Sequence, residues 1–288
     1  MNELLFILWN PDTIICHLGP VAIRWYSTCW LIGLLLAYFL VRHMFREQKL
    51  GDEKFEPLFL YCFLGILIGA RLGHCLLYEP GYFLSSGTHI IEMLLPIRYG
   101  MDNAWHFTGY EGLASHGGTA GIIIALLLYC RQHDMRFWMT LDFIAIVAPL
   151  TACFIRLGNL MNSEIIGMPT GMPWGFIFER VDMLPRHPSQ LYEALAYLII
   201  FTMQWWMYKH WGNKTDKTPS GLLGTGWYFG FTMASIFLFR FFIEYTKEVQ
   251  VDFEHGMLFD MGQLLSVPFV LIGAGFMWYG WRKAKVKS

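Results

Sequence analysis

Seven apolar runs, each near 20 residues, constrain this chain more than any other feature. They are roughly Leu18–Val41, Leu58–Tyr78, Leu113–Cys130, Trp138–Leu157, Gln190–Tyr208, Gly221–Phe242 and Met261–Trp281, the third being the shortest. About 20 apolar residues let an α-helix cross the hydrocarbon of a bilayer. Lipid cannot satisfy backbone N–H and C=O groups, so spans of this length must be helical. Only 15% of the residues are charged and 55% are hydrophobic, whereas a soluble domain carries about 25% charged residues. The sequence therefore predicts an all-α polytopic membrane protein with seven transmembrane helices, and one membrane-embedded domain accounts for residues 1–288. A net charge of −1 argues against nucleic acid as a partner. The six cysteines lie mostly inside apolar runs with no CxxC pair, so they read as small core hydrophobes, not a disulfide framework or a zinc site. The first 18 residues lack a basic n-region, and no small-residue cleavage site follows the first apolar run. The N-terminus is therefore expected to be retained.

Basic residues between the runs set the orientation, because cytoplasmic loops are enriched in Lys and Arg. With the N-terminus outside, the inner segments hold Arg42, Arg46, Lys49, Lys54, Arg131, Arg136, Lys209, Lys214, Lys217, Arg282, Lys283, Lys285 and Lys287, which is 13. The outer segments hold Arg98, Arg180, Arg186 and Lys247, which is 4. This bias predicts an N-out, C-in topology. It also makes 79–112 and 158–189 the long outer loops, the second carrying MPTGMPWG, which cannot be helical throughout.

The other four basic residues, Arg24, Arg71, Arg156 and Arg240, fall within the spans, all toward the outer leaflet. Arg71 sits roughly 10 Å below the outer end of its helix at 1.5 Å per residue. Charge in hydrocarbon costs at least a few kcal/mol and is usually retained for a task. The stretch Ile155–Gly167, IRLGNLMNSEIIG, concentrates this cost, with Arg156, Asn159, Asn162 and Glu164 in close succession. His116 and Glu193 open their helices on the same side, and Glu244 follows Arg240 by one turn, so those two share a face.

Arginine's planar fork grips phosphate oxygens in pairs and stays charged at neutral pH, and the abundant anion in a bilayer is phospholipid phosphate. The plain alternative is snorkelling to the headgroups. It fits Arg24 by position, and it fits Arg71, Arg156 and Arg240 poorly because they cluster on one side. His116, in Ser115-His116-Gly117-Gly118, has glycines that let a backbone or ligand approach the imidazole. It is either a base for a thiol or hydroxyl or a capping or hydrogen-bonded core histidine. Glu244 serves the chemistry or merely makes Arg240 tolerable, and Asn159 and Asn162 bind substrate or glue helices together. Tyr26 fits an interfacial aromatic belt as well as a site. Arg186-His187-Pro188-Ser189-Gln190 reads as a helix start with Ser189 near the cap. No HExxH or comparable metal-ligand spacing occurs among the ten histidines.

Three function classes fit a polytopic protein: a lipid-modifying enzyme, a transporter with an outward-facing anion site, and a structural or receptor-like bundle. A transporter would carry polar groups onward to the inner face, often with internal repeats, and a structural bundle needs no clustered charge. The one-sided polar groups favour the enzyme.

Seven ordered blocks carry a resemblance: GPVAIRWY (Gly19–Tyr26), GARLGH (Gly69–His74), SHGG (Ser115–Gly118), RLGNLMNSEIIG (Arg156–Gly167), RHPSQLYE (Arg186–Glu193), FRFFIEY (Phe239–Tyr245) and DMGQLLSVP (Asp260–Pro268). The chain resembles the bacterial prolipoprotein diacylglyceryl transferases nearly end to end. That resemblance implies a seven-span inner-membrane protein with its site toward the periplasmic leaflet. The implied activity moves the diacylglyceryl group of phosphatidylglycerol onto the lipobox cysteine of a preprolipoprotein, giving a thioether and glycerol phosphate. It places Tyr26, His116, Arg156, Asn159, Gly167, Arg240 and Glu244 at the family's essential positions. Together with the residue-level reading, it makes His116, Arg156, Arg240 and Glu244 the expected catalytic residues. Arg71, Tyr26, Asn159, Asn162 and Gly167 join the two arginines as expected lipid-binding residues. Phosphate is already a competent leaving group, so neither a metal nor a diffusible cofactor is expected. The sequence departs from the family pattern at Ile155, Leu160, Glu111 and Ser115, which is expected to alter loop packing near the site.

Overall fold

The computed structural model describes residues 6–19, 21–95, 97–100, 104–107, 112, 114–212, 221–247 and 259–286. Leu113, Glu111, Lys214, Lys217 and Lys287 lie outside the described residues. The chain is mostly helical. Its long helices are α1 (Trp25–Glu47), α2 (Asp52–Leu77), α5 (Ser115–Gln132), α6 (Phe137–Asn162), α7 (Ser189–Met207), α8 (Trp227–Ile243) and α9 (Met261–Val286), with the short α3 (Pro80–Phe83) and α4 (Gly87–Leu94) between α2 and α5. Each long helix coincides with one apolar run. Four of them, α1, α2, α6 and α9, are long and apolar enough to cross a membrane. Exposed Leu31, Leu35, Phe39, Leu60, Phe63, Leu271 and Trp278 on these helices suit a lipid solvent, where an apolar face carries no hydration cost.

Three boundaries differ from the sequence expectation. The first run is not helical from Leu18: β2 (Ile14–Leu18) and β3 (Val21–Arg24) form an antiparallel hairpin turning through Gly19, whose φ is +60°, and α1 starts only at Trp25. Arg156 does not end its helix, because α6 continues to Asn162. Ile155 and Leu160 are thus helical, not loop, residues. The segments expected to be long loops are also more ordered than that. Strands β4 (Ile97–Tyr99) and β5 (Trp105–Phe107) pair antiparallel. Strand β1 (Ile7–Trp9) runs parallel to β6 (Phe176–Phe178), which pairs antiparallel with β7 (Pro185–Arg186).

The chain groups into two compact units, Lys49–Thr140 and the combination of Met1–Gln48 with Leu141–Ser288. In the first, α2 packs along α5 through facing glycines. A Cβ on Gly69 would stand 2.4 Å from the Gly117 carbonyl oxygen, and one on Gly121 would stand 2.1 Å from that of Gly65. This is the close backbone approach that small residues permit between membrane helices. Gly117 of the SHGG block therefore answers to the α2 backbone.

In the second unit, Cys153 of α6 clusters with Ala194, Tyr197 and Ile200 of α7. Leu160 packs with Phe176 and Phe178 of the small sheet, and the Trp9 indole N–H donates to the Leu160 carbonyl at 2.9 Å. The departure at Leu160 is absorbed in that core. The start of α8 is fixed by Asp142, fully buried in α6, whose carboxylate accepts the N–H groups of Gly224, Gly226 and Phe229 at 2.8, 3.1 and 3.1 Å. Helix N-termini leave N–H groups without intrahelical partners and favour an anion there, so Asp142 is their acceptor. Nothing in the sequence pattern singled it out.

Candidate active site

The second unit brings one end of α6, α7, α8 and α9 together, and their charges interleave. Arg156 of α6 pairs through Nε with Glu193 Oε2 of α7 at 2.9 Å. Lys247, just beyond α8, reaches Glu193 Oε1 at 3.2 Å and Glu244 Oε2 at 3.1 Å. Arg240, in the last turn of α8, lies 3.9 Å from Glu244 Oε1. The order Arg156, Glu193, Lys247, Glu244, Arg240 sets three cations against two carboxylates.

Burial is uneven along this series. Glu193 is 1% exposed, Lys247 9%, Glu244 13% and Arg156 21%, while Arg240 is 45% exposed. Unpaired charges are not tolerated at the buried end, and there each group has two opposite or polar neighbours. Among the described residues Arg240 forms one ion pair, and it is long, so the guanidinium keeps donors for an incoming anion. Glu193 Oε2 and Glu244 Oε2 sit at ion-pair distance from their cations without hydrogen-bond alignment.

A polar relay extends from Arg156. Its Nη1 donates to Asn159 Oδ1 at 3.3 Å, Asn159 Nδ2 donates to Glu164 Oε2 at 3.0 Å, and Asn162 Nδ2 donates to Glu164 Oε1 at 3.1 Å. The two amides therefore bind a carboxylate in their own segment and are not interhelical glue. Tyr26, in the first turn of α1, packs on Gly158, where an added Cβ would stand 3.0 Å from its Cδ2. Four groups expected from sequence, Tyr26, Arg156, Asn159 and Asn162, thus occupy one corner of the unit.

Gly167 plays a different part. A Cβ there would meet Ser189 Oγ at 2.5 Å, His187 Cβ at 2.6 Å and the Thr246 carbonyl oxygen at 2.6 Å. Its N–H donates to the His187 carbonyl at 2.9 Å, and its carbonyl accepts from Arg186 Nη1 at 3.2 Å. Gly167 is the crossing point of three segments, holding the 164–188 stretch against the start of α7. The expected helix start is present, with α7 beginning at Ser189 directly after Pro188 in the cap position, and Ser189 Oγ pairs with Thr246 Oγ1 at 3.0 Å. Arg186 is saturated by Asp182, whose carboxyl it holds below the usual carboxylate range.

The unit formed by Lys49–Thr140 carries the other two expected residues. Arg71 donates to the carbonyls of Glu92 at 2.7 Å and Met93 at 3.4 Å and lies 5.0 Å over the Phe83 ring. Those carbonyls belong to the end of α4, where the helix dipole favours a cation. His116 is in the first turn of α5 with its side chain exposed, which removes the buried-core alternative. The side chain of Ser115 lies outside the described residues.

Glu193 and Lys247 are the members of the series that the sequence did not single out as site residues. Glu193 closes the RHPSQLYE block, and Lys247 falls three residues after Glu244, on the same helical face. Those two spacings were the available signals.

The family model described as prolipoprotein diacylglyceryl transferase matches residues 13–279. Curated relatives named phosphatidylglycerol–prolipoprotein diacylglyceryl transferase include one from Bacteroides fragilis, 53% identical over 286 residues and 99% of both chains. Another from Tolumonas auensis is 43% identical over 94% of this chain and 96% of its own. A third, from Chloroherpeton thalassium, is 38% identical over 100% of this chain and 99% of its own. With the match running from before the first long helix into the last, the chain belongs to the prolipoprotein diacylglyceryl transferase family.

Proposed function

We propose that this protein transfers the sn-1,2-diacylglyceryl group of phosphatidylglycerol to the lipobox cysteine thiol of a preprolipoprotein, forming a thioether and releasing glycerol phosphate. The observation that carries the reading is the interleaved series ending in half-exposed Arg240, a built anion site in a membrane protein of this family. The substrate pair is the one in the names of the relatives. The seven long helices all cross the bacterial inner membrane in this reading, as one catalytic domain. The 13-to-4 bias of basic residues supports an N-terminus outside, a C-terminus in the cytoplasm and the Arg156 end toward the periplasmic leaflet.

The thiol gives its proton to His116, and the thiolate attacks the glyceryl carbon that bears the phosphate ester. That C–O bond breaks and its electrons leave with glycerol phosphate. Arg156 and Arg240 neutralise the growing charge, as preorganised donors do in oxyanion stabilisation. Glu244 orients Arg240, Glu193 orients Arg156, and Asn159 and Tyr26 position the headgroup, with Asn162 steadying Glu164. Arg71 and Gly167 complete the lipid-binding set in this reading, and they also fix α4 and the 164–188 stretch.

Purified protein given phosphatidylglycerol and a lipobox peptide should add one diacylglyceryl mass to the cysteine, and a transporter or scaffold would add none. Arg156→Ala should abolish transfer while the protein stays folded in membranes, and normal turnover would remove Arg156 from the mechanism. His116→Asn should lose most of the rate yet retain lipid binding, and an unchanged rate would place the base elsewhere.

A further inference from the structure

Gly262 is the second residue of α9, and its φ is not among the left-handed values. The backbone therefore does not require glycine there, and alanine is the better helix former. What surrounds the position supplies the reason. An added Cβ would stand 2.1 Å from Glu244 Oε1, 2.7 Å from its Cδ and 2.9 Å from its Cγ, and these are its three nearest atoms. The space a side chain would occupy is filled by the Glu244 carboxylate.

We propose that Gly262 is a positioning residue for the transferase site, providing the gap in which Glu244 stands between Arg240 and Lys247. The inference rests on the reading of Glu244 as part of that site. The oxygen that a Cβ would strike, Oε1, is the one facing Arg240 at 3.9 Å, while Oε2 faces Lys247 at 3.1 Å. The helix start cannot easily retreat. Asp260 and Gln263 form a reciprocal capping box, with Gln263 N–H donating to Asp260 Oδ1 at 2.7 Å and Asp260 N–H to Gln263 Oε1 at 3.2 Å. Gln263, 1% exposed, also donates from Nε2 to the Phe241 carbonyl at 3.1 Å, tying α9 to α8 one residue after Arg240. Between a pinned backbone and the end of a flexible side chain, the side chain yields. An extra methyl at 262 therefore moves the carboxylate and leaves the fold in place. The first turn of α9 also suits a carboxylate, since the helix dipole is positive there.

The test uses full-length protein in detergent, measuring diacylglyceryl transfer from phosphatidylglycerol to a lipobox peptide together with thermal unfolding. Gly262→Ala should lower kcat/KM at least tenfold with an unchanged or higher melting temperature. Glu244→Asp withdraws the carboxylate by one methylene and is itself expected to be impaired. Combined with Gly262→Ala it should restore several-fold activity over Gly262→Ala alone, because the shorter side chain clears the new methyl. Full activity of Gly262→Ala overturns the proposal, as does a double variant no better than Gly262→Ala. A lowered melting temperature without rescue would make Gly262 a packing residue and also overturns it. Glu244→Gln separates the two levels: if it keeps full activity, Glu244 leaves the site whatever Gly262 does. If the unsubstituted protein forms no thioether, the proposed activity itself fails.

Discussion

Helix α6 carries two charges out of water, and it treats them in opposite ways. Asp142 and Arg156 are 14 positions apart, about 21 Å along the axis at 1.5 Å per residue. Asp142 is wholly buried and receives three backbone N–H groups from the start of α8. The Phe229 donor is an orphan of the helix start, and the Gly224 and Gly226 donors lie in the turn that leads into it, so the carboxylate and the helix entry satisfy each other. Arg156 is partly exposed and shares its carboxylate, Glu193, with Lys247. Beyond it, exposure rises from Glu193 to Arg240, whose ion pair spans 3.9 Å. A saturated charge holds a fold together. A graded, unsaturated series leaves capacity for a ligand, and such capacity belongs at functional sites.

The strongest way to break this contrast is Asp142→Ala. It would strand two buried donors and one partly buried one, each costing up to ~1–3 kcal/mol, against a total stability of about 5–15 kcal/mol. We expect little folded protein by gel filtration from membranes. Folded protein of ordinary melting temperature and reduced turnover would instead make Asp142 a functional group. Glu193→Gln should act at both levels at once. Removing one partner of a buried ion pair costs about 3–5 kcal/mol, but Arg156 keeps Asn159 and Lys247 keeps Glu244, so we expect roughly 1–3 kcal/mol of destabilisation. Transfer should fall by at least tenfold because Arg156 loses the carboxylate that orients it. A stable variant with full turnover would reduce Glu193 to a counter-ion.

The sequence made one of these two regions visible and hid the other. Arg156, Asn159, Arg240 and Glu244 stand out because charge inside an apolar run is anomalous, and helical spacing paired Arg240 with Glu244 in advance. Long apolar runs likewise announced all seven long helices. Asp142 escaped notice because its partners are backbone N–H groups some 80 residues away, and no side-chain pattern marks them. The β2–β3 hairpin escaped because Val21 to Ile23 are apolar, and hydropathy does not distinguish a short apolar strand from the start of a helix. Arg71 is legible as an anomaly, whereas the carbonyls at the end of α4 that meet its guanidinium exist only once that segment folds. Lys247 was counted as a loop charge, and only the turn after α8 brings it between two carboxylates.

A subtler probe is Gln190, fully buried in the first turn of α7 with neither side-chain amide atom hydrogen-bonded among the described residues. It precedes Glu193 by three residues and so lies on the same helical face. A buried polar group without partners costs about 1–3 kcal/mol, a penalty a purely structural position has no reason to keep. Gln190→Leu should therefore raise stability by about 1 kcal/mol while lowering transfer. An equally active, more stable variant would show that unsaturation at this end carries no function.

The smallest effect concerns the 164–188 stretch, a cap on the start of α7 held by Gly167, where a second arginine refines the contrast. Arg186 is 7% exposed, and its guanidinium is occupied by Asp182 and the Gly167 carbonyl, which makes it the saturated counterpart of Arg156. Arg186 holds the Asp182 carboxyl below its ordinary range, chiefly through their hydrogen bond. Burial holds the His187 imidazole below its ordinary value too. Both shifts have the same sign of consequence. His187 is neutral in the folded cap, so its contribution is intact above the unfolded value near 6.5 and erodes as pH falls below it, when the unfolded chain takes the proton first. Asp182 contributes fully above the unfolded carboxylate value near 3.9 and loses that contribution as pH falls through its depressed folded value. Melting temperature should therefore decline in acid in two steps, the first removed by His187→Gln and the second by Asp182→Asn. Neither substitution should alter kcat at neutral pH, because a saturated arginine has nothing left to offer the lipid. A change in kcat with Asp182→Asn would move Arg186 from the cap into the site and erase the distinction between the two arginines.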